Sequence, residues 1–277
     1  MAGQCAELIE VPWSGELPSP LVQVISPGRS GTRWLADVAL ACTPHPVIHA
    51  QTGSLAEIGF LRDRGSIGTD EAFGAYLHAR LRVFAHCLAA GCGLIDLDCK
   101  ISPLAPVLMD RLPGMRFAVA LRDPIAFVRS GIARGYFHDL DPQVHGHLCT
   151  SVSAEPAGLG PQPGVRERAL LIARFWNRVA RIGQALHASS PSRVVLLNMP
   201  AMFSSRSETA STLGGLGLHV DRRRLNAYSN FDHVKNANPV RVRPPDEIGN
   251  LESEVRQVAL ESIAAEFLAG CGISADT

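Results

Sequence analysis

The chain has 277 residues, of which 46% are hydrophobic and 19% are charged, and its 26 Lys and Arg side chains balance 26 Asp and Glu. This length and apolar content suffice for a large core, and the balanced charge gives no general attraction to nucleic acid or to an anionic membrane. The seven cysteines show no CxxC pairing, so neither a zinc site nor a disulfide framework is indicated. No apolar run has the length of a membrane span and no signal-peptide pattern opens the chain, which predicts a cytoplasmic protein.

Near the N-terminus, residues 21–40 join a short apolar run, a glycine-containing turn and a helical pattern. Leu21–Ile25 is rich in β-branched residues and predicts a buried strand, and apolar side chains recur at helical spacing from Trp34. A strand, turn and helix in this order point backbone N–H groups at an anion. The turn carries glycines and polar donors: Gly28, Arg29, Ser30, Gly31, Thr32 and Arg33. We interpret it as a phosphate-binding loop, the alternative being an ordinary strand-to-helix turn.

Further strands and helices alternate along the chain. Strands are predicted at 46–49, 93–98, 116–121 and 193–198. Helices are predicted at 55–62, 70–90, 103–112, 166–187 and 251–268, with one further helix that begins at Pro124 and one helical segment that ends at Leu216. Ser102 is expected to cap the helix at 103–112, and Asp123 the helix that Pro124 begins. Residues 139–164 lack periodicity and predict a long loop, either a lid or a disordered insert. The alternation predicts a single α/β domain over 1–277, with a parallel sheet flanked by helices on both faces.

One edge of such a sheet collects the residues that carry chemistry. Ligands of open parallel sheets bind beyond the carboxyl ends of the strands. This rule brings together residues 26–33, His49, the segment 98–100 and Arg122. We therefore expect these residues to form a single site.

Two motifs in the chain resemble those of sulfotransferases that use 3′-phosphoadenosine 5′-phosphosulfate (PAPS). Pro27–Thr32, followed by Trp34, resembles the family's 5′-phosphosulfate loop. Leu121–Pro124, with Ser130 further on, resembles its 3′-phosphate motif. The two motifs stand in the family's order.

Two further segments add to the resemblance and one departs from it. Residues 98–103 are similar to the Lys-x-x-Pro element that often precedes the second motif. Residues 194–198 stand where the family has a strand before its acidic "E-D-L" element, and here the chain reads Asn198-Met199-Pro200 instead.

The resemblance implies a three-layer, P-loop-kinase-like sheet and the transfer of a sulfuryl group from PAPS. The acceptor would be a hydroxyl of a small molecule, glycolipid or saccharide, the nucleotide product adenosine 3′,5′-bisphosphate (PAP), and no metal would be needed. The implied cofactor-binding residues are Gly28, Arg29, Ser30, Gly31, Thr32, Arg33, Trp34, Arg122, Ser130 and Lys235. Arg29 stands where many relatives have lysine, and would stabilise charge on the 5′-phosphate.

The acceptor hydroxyl requires a base. His49 is the first candidate because the ordinary pKa of histidine lies near neutrality, although a surface histidine is an equal alternative. Asp98 is the second candidate, beside Lys100, which would bind the sulfate oxygens or the acceptor. His138, His145 and His147 on the long loop are the third.

Two other functions remain open on the sequence. A P-loop-like phosphotransferase would bind phosphates and Mg²⁺ through Gly-Lys-Ser/Thr, whereas this loop reads Gly31-Thr32-Arg33. A non-catalytic nucleotide-binding module would need the same edge of the sheet but no base.

Overall fold

The structure, a computed structural model, describes residues 17–49, 53–137, 163–229, 231 and 246–274. Lys235, the three histidines of the long loop (His138, His145 and His147) and almost all of the loop predicted at 139–164 lie outside the described residues.

Five strands form one sheet in which every pair of neighbours is parallel. They are β1 (Leu21–Ile25), β2 (Val47–Ile48), β3 (Leu94–Asp96), β4 (Met115–Val119) and β5 (Val194–Leu196). Their order across the sheet is β2-β3-β1-β4-β5, so β1 is central. Every residue of β1 is buried, as expected for a parallel strand covered on both faces. The predicted parallel α/β architecture is confirmed.

Helices connect the strands and cover the sheet. They are α1 (Thr32–Cys42), α2 (Gly53–Asp63), α3 (Thr69–Ala89), α4 (Ala105–Arg111), α5 (Pro124–Ile132), α6 (Val165–Ser189), α7 (Met199–Ser204), α8 (Arg206–Gly215), α9 (Arg222–Ala227), α10 (Glu252–Leu260) and α11 (Ala265–Gly270). Two 3₁₀ segments precede α4 and α10, at Cys99–Leu104 and Asp246–Leu251. None of the described helices combines the length and the apolar character that crossing a membrane requires.

The strands divide the core into two clusters, one on each face of the sheet. Leu21 and Ile25 of β1 belong to the first cluster, with α2 to α6, α10 and α11. Val22 and Val24 point to the opposite face and belong to the second, with α1 and α7 to α9. This alternation follows from the two-residue period of a strand.

Two predicted helices differ from those observed. Ser102 does not cap a helix at 103–112, because a 3₁₀ segment with Asp98 as its N-cap comes first and Ser102 is buried within it. The single helix predicted at 251–268 is two helices. The Asn177 side chain donates to the carbonyl oxygens of Ala259 and Glu261, and Ser262 follows with a left-handed φ of 60°, so that tertiary contacts interrupt the helical pattern.

Candidate anion-binding site

The topology of the sheet marks one position at its carboxyl edge, beyond the ends of β1 and β4, and we call this position the crevice. These strands are neighbours, yet α1 packs in the second cluster and α5 in the first, on opposite faces. Helices that leave adjacent strands towards opposite faces mark a topological switch point, which is where open parallel sheets bind their ligands. The turn after β1 and the segment after β4 both border this crevice.

The turn after β1 has an unusual backbone. Gly28, Arg29 and Gly31 all have positive φ angles, of 86°, 57° and 84°. The Ser26 hydroxyl accepts from the Gly28 N–H at 3.1 Å, and the Ser30 hydroxyl donates to the Gly28 carbonyl oxygen at 3.0 Å. Three positive φ angles within four residues give a turn in which successive N–H groups can converge on one side, as in anion-binding concavities.

Helix α1 begins directly at this turn, with Gly31 as its N-cap. No side chain among the described residues caps its first N–H groups. A Cβ atom at Gly31 would lie 2.5 Å from the ring of Phe203 and 2.9 Å from the methyl group of Met199. The first turn therefore packs closely on α7. Because no described side chain caps it, its first N–H groups can bind an anion.

Arg122 stands at the opposite side of the crevice, at the start of α5. Asp123 caps this helix by accepting from the Ala126 N–H at 2.8 Å, as the sequence predicts. The Trp176 indole donates to the Arg122 carbonyl oxygen at 2.9 Å, and the Arg122 guanidinium donates to the Arg29 carbonyl oxygen at 3.4 Å. The backbone of Arg122 is thus held from α6, and its side chain reaches the turn after β1.

Arg29 makes the complementary contact in the other direction. Its Nε donates to the Ser130 hydroxyl of α5 at 3.2 Å, across 101 positions of the chain. The two predicted anion-binding motifs therefore meet in one place.

Positive charge is concentrated at this contact. Burial lowers the pKa of Arg29, and the positive charges of Arg134 and Arg122 lower it further. Burial also lowers the pKa of Arg122, against the effect of the neighbouring Asp123. Several half-buried guanidiniums so close together favour an anionic ligand.

Arg134 and Tyr136 are residues of this site that the sequence reasoning did not assign. Burial raises the pKa of Tyr136, as does Cys99, whereas the positive charges of Arg29 and Arg134 lower it. Arg168 of α6 donates to the carbonyl oxygens of Ile132 and Tyr136 and holds the segment that ends α5. The spacing of Arg134, one turn beyond Ser130, was the signal that could have identified it.

His49 lies at the same edge, at the end of β2. Its Nε2 is 3.5 Å from the Thr32 hydroxyl of α1. Burial lowers the pKa of His49, and the positive charge of Arg33 lowers it further, whereas Asp98 and Asp37 act in the opposite direction. The imidazole is therefore favoured in its neutral form, which is the form that accepts a proton.

Asp98 and Lys100 lie at the start of the 3₁₀ segment after β3. The Asp98 carboxylate is fully buried, 3.4 Å from the Arg80 guanidinium, and accepts from the Lys100 N–H at 3.3 Å. Lys100 is half-buried. The expected collection of 26–33, His49, 98–100 and Arg122 at one edge is thus observed.

Trp34 lies in the core. Its side chain is only 6% exposed and makes edge-to-face contacts with Phe203 and Phe231, at ring-centroid distances of 4.8 and 5.5 Å. Its indole stabilises the packing of α1, which accounts for this residue without a cofactor contact. Thr32 is also buried, whereas Arg33 is exposed.

Fold and site together define a class: a parallel α/β protein with a cationic crevice at the switch point of its sheet. Comparisons with family models, curated proteins and solved structures found no significant match to this chain. Among the described residues, no group of three or more His, Cys, Asp and Glu side chains is arranged to hold a metal ion.

Proposed function

We propose that the protein is a sulfotransferase that moves a sulfuryl group from PAPS to a hydroxyl of a small-molecule, glycolipid or saccharide acceptor, on a P-loop-kinase-like sheet. The observation that carries the proposal is the double contact between the two motifs. Arg29 reaches Ser130 at 3.2 Å, and Arg122 reaches the Arg29 carbonyl oxygen at 3.4 Å. Two anion-binding elements in one crevice suit a ligand with two separate anionic groups, such as the phosphosulfate and the 3′-phosphate of PAPS.

The chain fits such a ligand on several counts. The left-handed turn and the uncapped first turn of α1 offer converging backbone donors for the phosphosulfate. Arg122 and Ser130, on the other side, would hold the 3′-phosphate, with Arg122 able to bind it through a planar fork of donors. Lys235, outside the described residues, stays a predicted contact to the same phosphate.

The chemistry follows from what these residues can stabilise. Bound PAPS would supply an activated sulfuryl group, whose transfer leaves negative charge on the 5′-phosphate. The Arg29 guanidinium and the first N–H groups of α1 would stabilise that charge, and each donor removed from such a position costs on the order of 3 kcal/mol. Arg29 stays charged throughout, so it acts as an electrostatic stabiliser and not as a proton donor.

We propose His49 as the base that accepts the proton of the acceptor hydroxyl. Its pKa is lowered by burial and by Arg33, which keeps a neutral imidazole available. Asp98 suits the role less well, because its oxygens already accept from Arg80 and from the Lys100 N–H. His49→Ala should then lower turnover with little change in PAP affinity; if Asp98→Asn does so instead, the base is Asp98. Lys100 would bind the sulfate oxygens or the acceptor.

The proposal is tested first by ligand binding. PAP, at 100 times its dissociation constant, should stabilise the protein by about 2.7 kcal/mol without added Mg²⁺. ATP at the same concentration should stabilise it less. Adenosine 5′-monophosphate is the matched control, because it lacks only the 3′-phosphate that Arg122 and Ser130 would bind. Sulfur-35 transfer from PAPS to a panel of hydroxyl compounds then tests the reaction.

The same experiments separate the other functions. Preference for Mg-ATP over PAP would contradict the proposal in favour of a phosphotransferase, which the missing Gly-Lys-Ser/Thr sequence makes the weaker candidate. Tight PAP binding without transfer to any hydroxyl offered would point to a nucleotide-binding module.

A further inference from the structure

We propose that Arg80 of α3 is a positioning residue for the turn after β1, and that it acts through Asp98 and Ser102. The inference rests on the proposed role of that turn in binding an anion. Arg80 does not belong to the crevice itself. It lies on α3, which packs in the first core cluster, and its side chain is only 2% exposed.

Arg80 joins two carboxylates inside the protein. Its Nε donates to Asp96 at 2.7 Å and its Nη2 lies 3.4 Å from an oxygen of Asp98, and both carboxylates are fully buried. A second link ties the carboxylates together, because Asp96 also accepts from the Asp98 N–H at 3.0 Å. The carbon of the Arg80 guanidinium lies 5.9 Å from the centre of the Tyr76 ring. The cluster therefore fixes the end of β3 and the first residue of the 3₁₀ segment in one arrangement.

The 3₁₀ segment carries this arrangement to the turn after β1. Asp98 caps the segment by accepting from the Lys100 N–H at 3.3 Å. Within the segment, the Ser102 hydroxyl accepts from the Ser26 N–H at 2.9 Å and lies 3.0 Å from the Ser26 carbonyl oxygen. The same hydroxyl lies 2.8 Å from the Cys99 carbonyl oxygen, so its single proton is shared between two acceptors, while its oxygen holds the Ser26 N–H. Ser26 in turn accepts from the Gly28 N–H.

This chain of contacts explains how the conformation of the turn after β1 is maintained. Arg29 has a left-handed φ of 57°, which is strained for a residue other than glycine and persists only when its surroundings hold it. A buried ion cluster contributes little net stability compared with apolar side chains of the same volume, so stability alone does not account for Arg80. Positioning of the turn accounts for it, because Arg80 determines where Asp98, and hence Ser102, can lie.

The test compares Ser102→Ala with Thr43→Val, in the full chain. Thr43 is also buried and its hydroxyl also donates to a backbone carbonyl, but at the opposite end of α1. Hydrogen exchange of the Ser26 and Gly28 N–H groups, measured without ligand, should speed up in Ser102→Ala and stay unchanged in Thr43→Val. PAP affinity should fall on the order of tenfold in Ser102→Ala alone, as for partners that orient binding groups.

Arg80 is tested by Arg80→Met and Arg80→Lys. Arg80→Met keeps the apolar stem and should reproduce both effects of Ser102→Ala, and Arg80→Lys, which keeps one charge-assisted contact, should restore part of each. Should Arg80→Met fold and retain wild-type exchange at Ser26 and Gly28, the proposal is overturned. If it does not fold, Arg80→Lys decides by the same exchange rates, and unchanged rates there overturn the proposal. Failure of the wild type to bind PAP would instead count against the proposed function, since the exchange rates need no ligand.

Discussion

The N-termini of α1 and α5 lie side by side at the edge of the same sheet, but they differ in how their first N–H groups are capped. Each helix follows one of two neighbouring strands and starts with N–H groups that its own backbone leaves without partners. In α5 the Asp123 carboxylate takes up one of these groups, at 2.8 Å from the Ala126 nitrogen. In α1 the N-cap is Gly31, and no described side chain takes this role.

The difference separates two ways of binding an anion. An aspartate at an N-cap occupies one of the donors that a phosphate would use and brings a like charge, so we expect α5 to contribute chiefly through Arg122 and Ser130. The glycine cap of α1 leaves the backbone itself as the binding group, with Arg29 added to it. Under the proposed function, one side of the crevice would bind its anion through main chain, and the other through side chains.

The largest expected effect comes from changing the glycine cap. Gly31→Ala places a Cβ atom 2.5 Å from the Phe203 ring at a φ of 84°, so it should lower the free energy of unfolding by about 2 to 3 kcal/mol. Gly65→Ala is the control, because Gly65 has a φ of 73° and no atom within 4 Å of the added carbon. It should cost only the left-handed strain, about 1 kcal/mol. Urea denaturation measures both, and equal losses would show that packing at α1 is unimportant.

The arginines are the next test of the comparison. Arg29→Ala and Arg122→Ala should each weaken PAP binding roughly 10- to 100-fold, because each removes a charged donor from a half-buried site. Arg29→Ala should also depress sulfuryl transfer strongly, whereas Arg122→Ala should act chiefly on binding. Calorimetric titration measures the affinity, with the exposed Arg181→Ala as a control of equal charge. Wild-type affinity in both variants would place the nucleotide elsewhere.

A smaller effect is expected at the cap of α5. Asp123→Ala should lower the free energy of unfolding by about 1 kcal/mol through loss of the cap. Asp123→Asn keeps an acceptor for the Ala126 N–H and should cost less. Both variants should bind PAP slightly more tightly than the wild type, because the carboxylate beside Arg122 is gone. Thermal denaturation with and without PAP measures both quantities, and weaker binding in Asp123→Asn would argue against this electrostatic account.

The smallest effect concerns the pKa of His49. It should lie below the ordinary value of 6.5, and Arg33→Ala should raise it, because a positive charge that favours the neutral form is removed. Asp37→Asn should move it the other way. NMR titration of the imidazole measures both directions. If His49 is the base, transfer should increase as pH rises through this pKa and then level off, and a rate that declines there would exclude that role.

Much of the fold was predictable because it follows from local patterns. Apolar runs of strand length alternating with helical periodicity predicted the parallel sheet, and β1 was found at the predicted residues, Leu21–Ile25. The cap formed by Asp123 was equally local, since Asp followed by Pro is a strong helix start. The rule for parallel sheets also predicted that the turn after β1 and Arg122 would share one edge.

Contacts between distant parts of the chain were decided only by the tertiary structure. The sequence offers Ser102 as a helix cap, but its hydroxyl accepts from the Ser26 N–H, and the packing of α3 places Arg80 beside Asp98. Trp34 was assigned to the cofactor, and only the tertiary structure shows that Phe203 of α7 packs against its buried ring. Periodicity and motifs report on neighbours within a few residues, whereas the order of strands and the face that each helix covers depend on the whole core. Those two choices determine which buried hydrogen-bonding groups find each other.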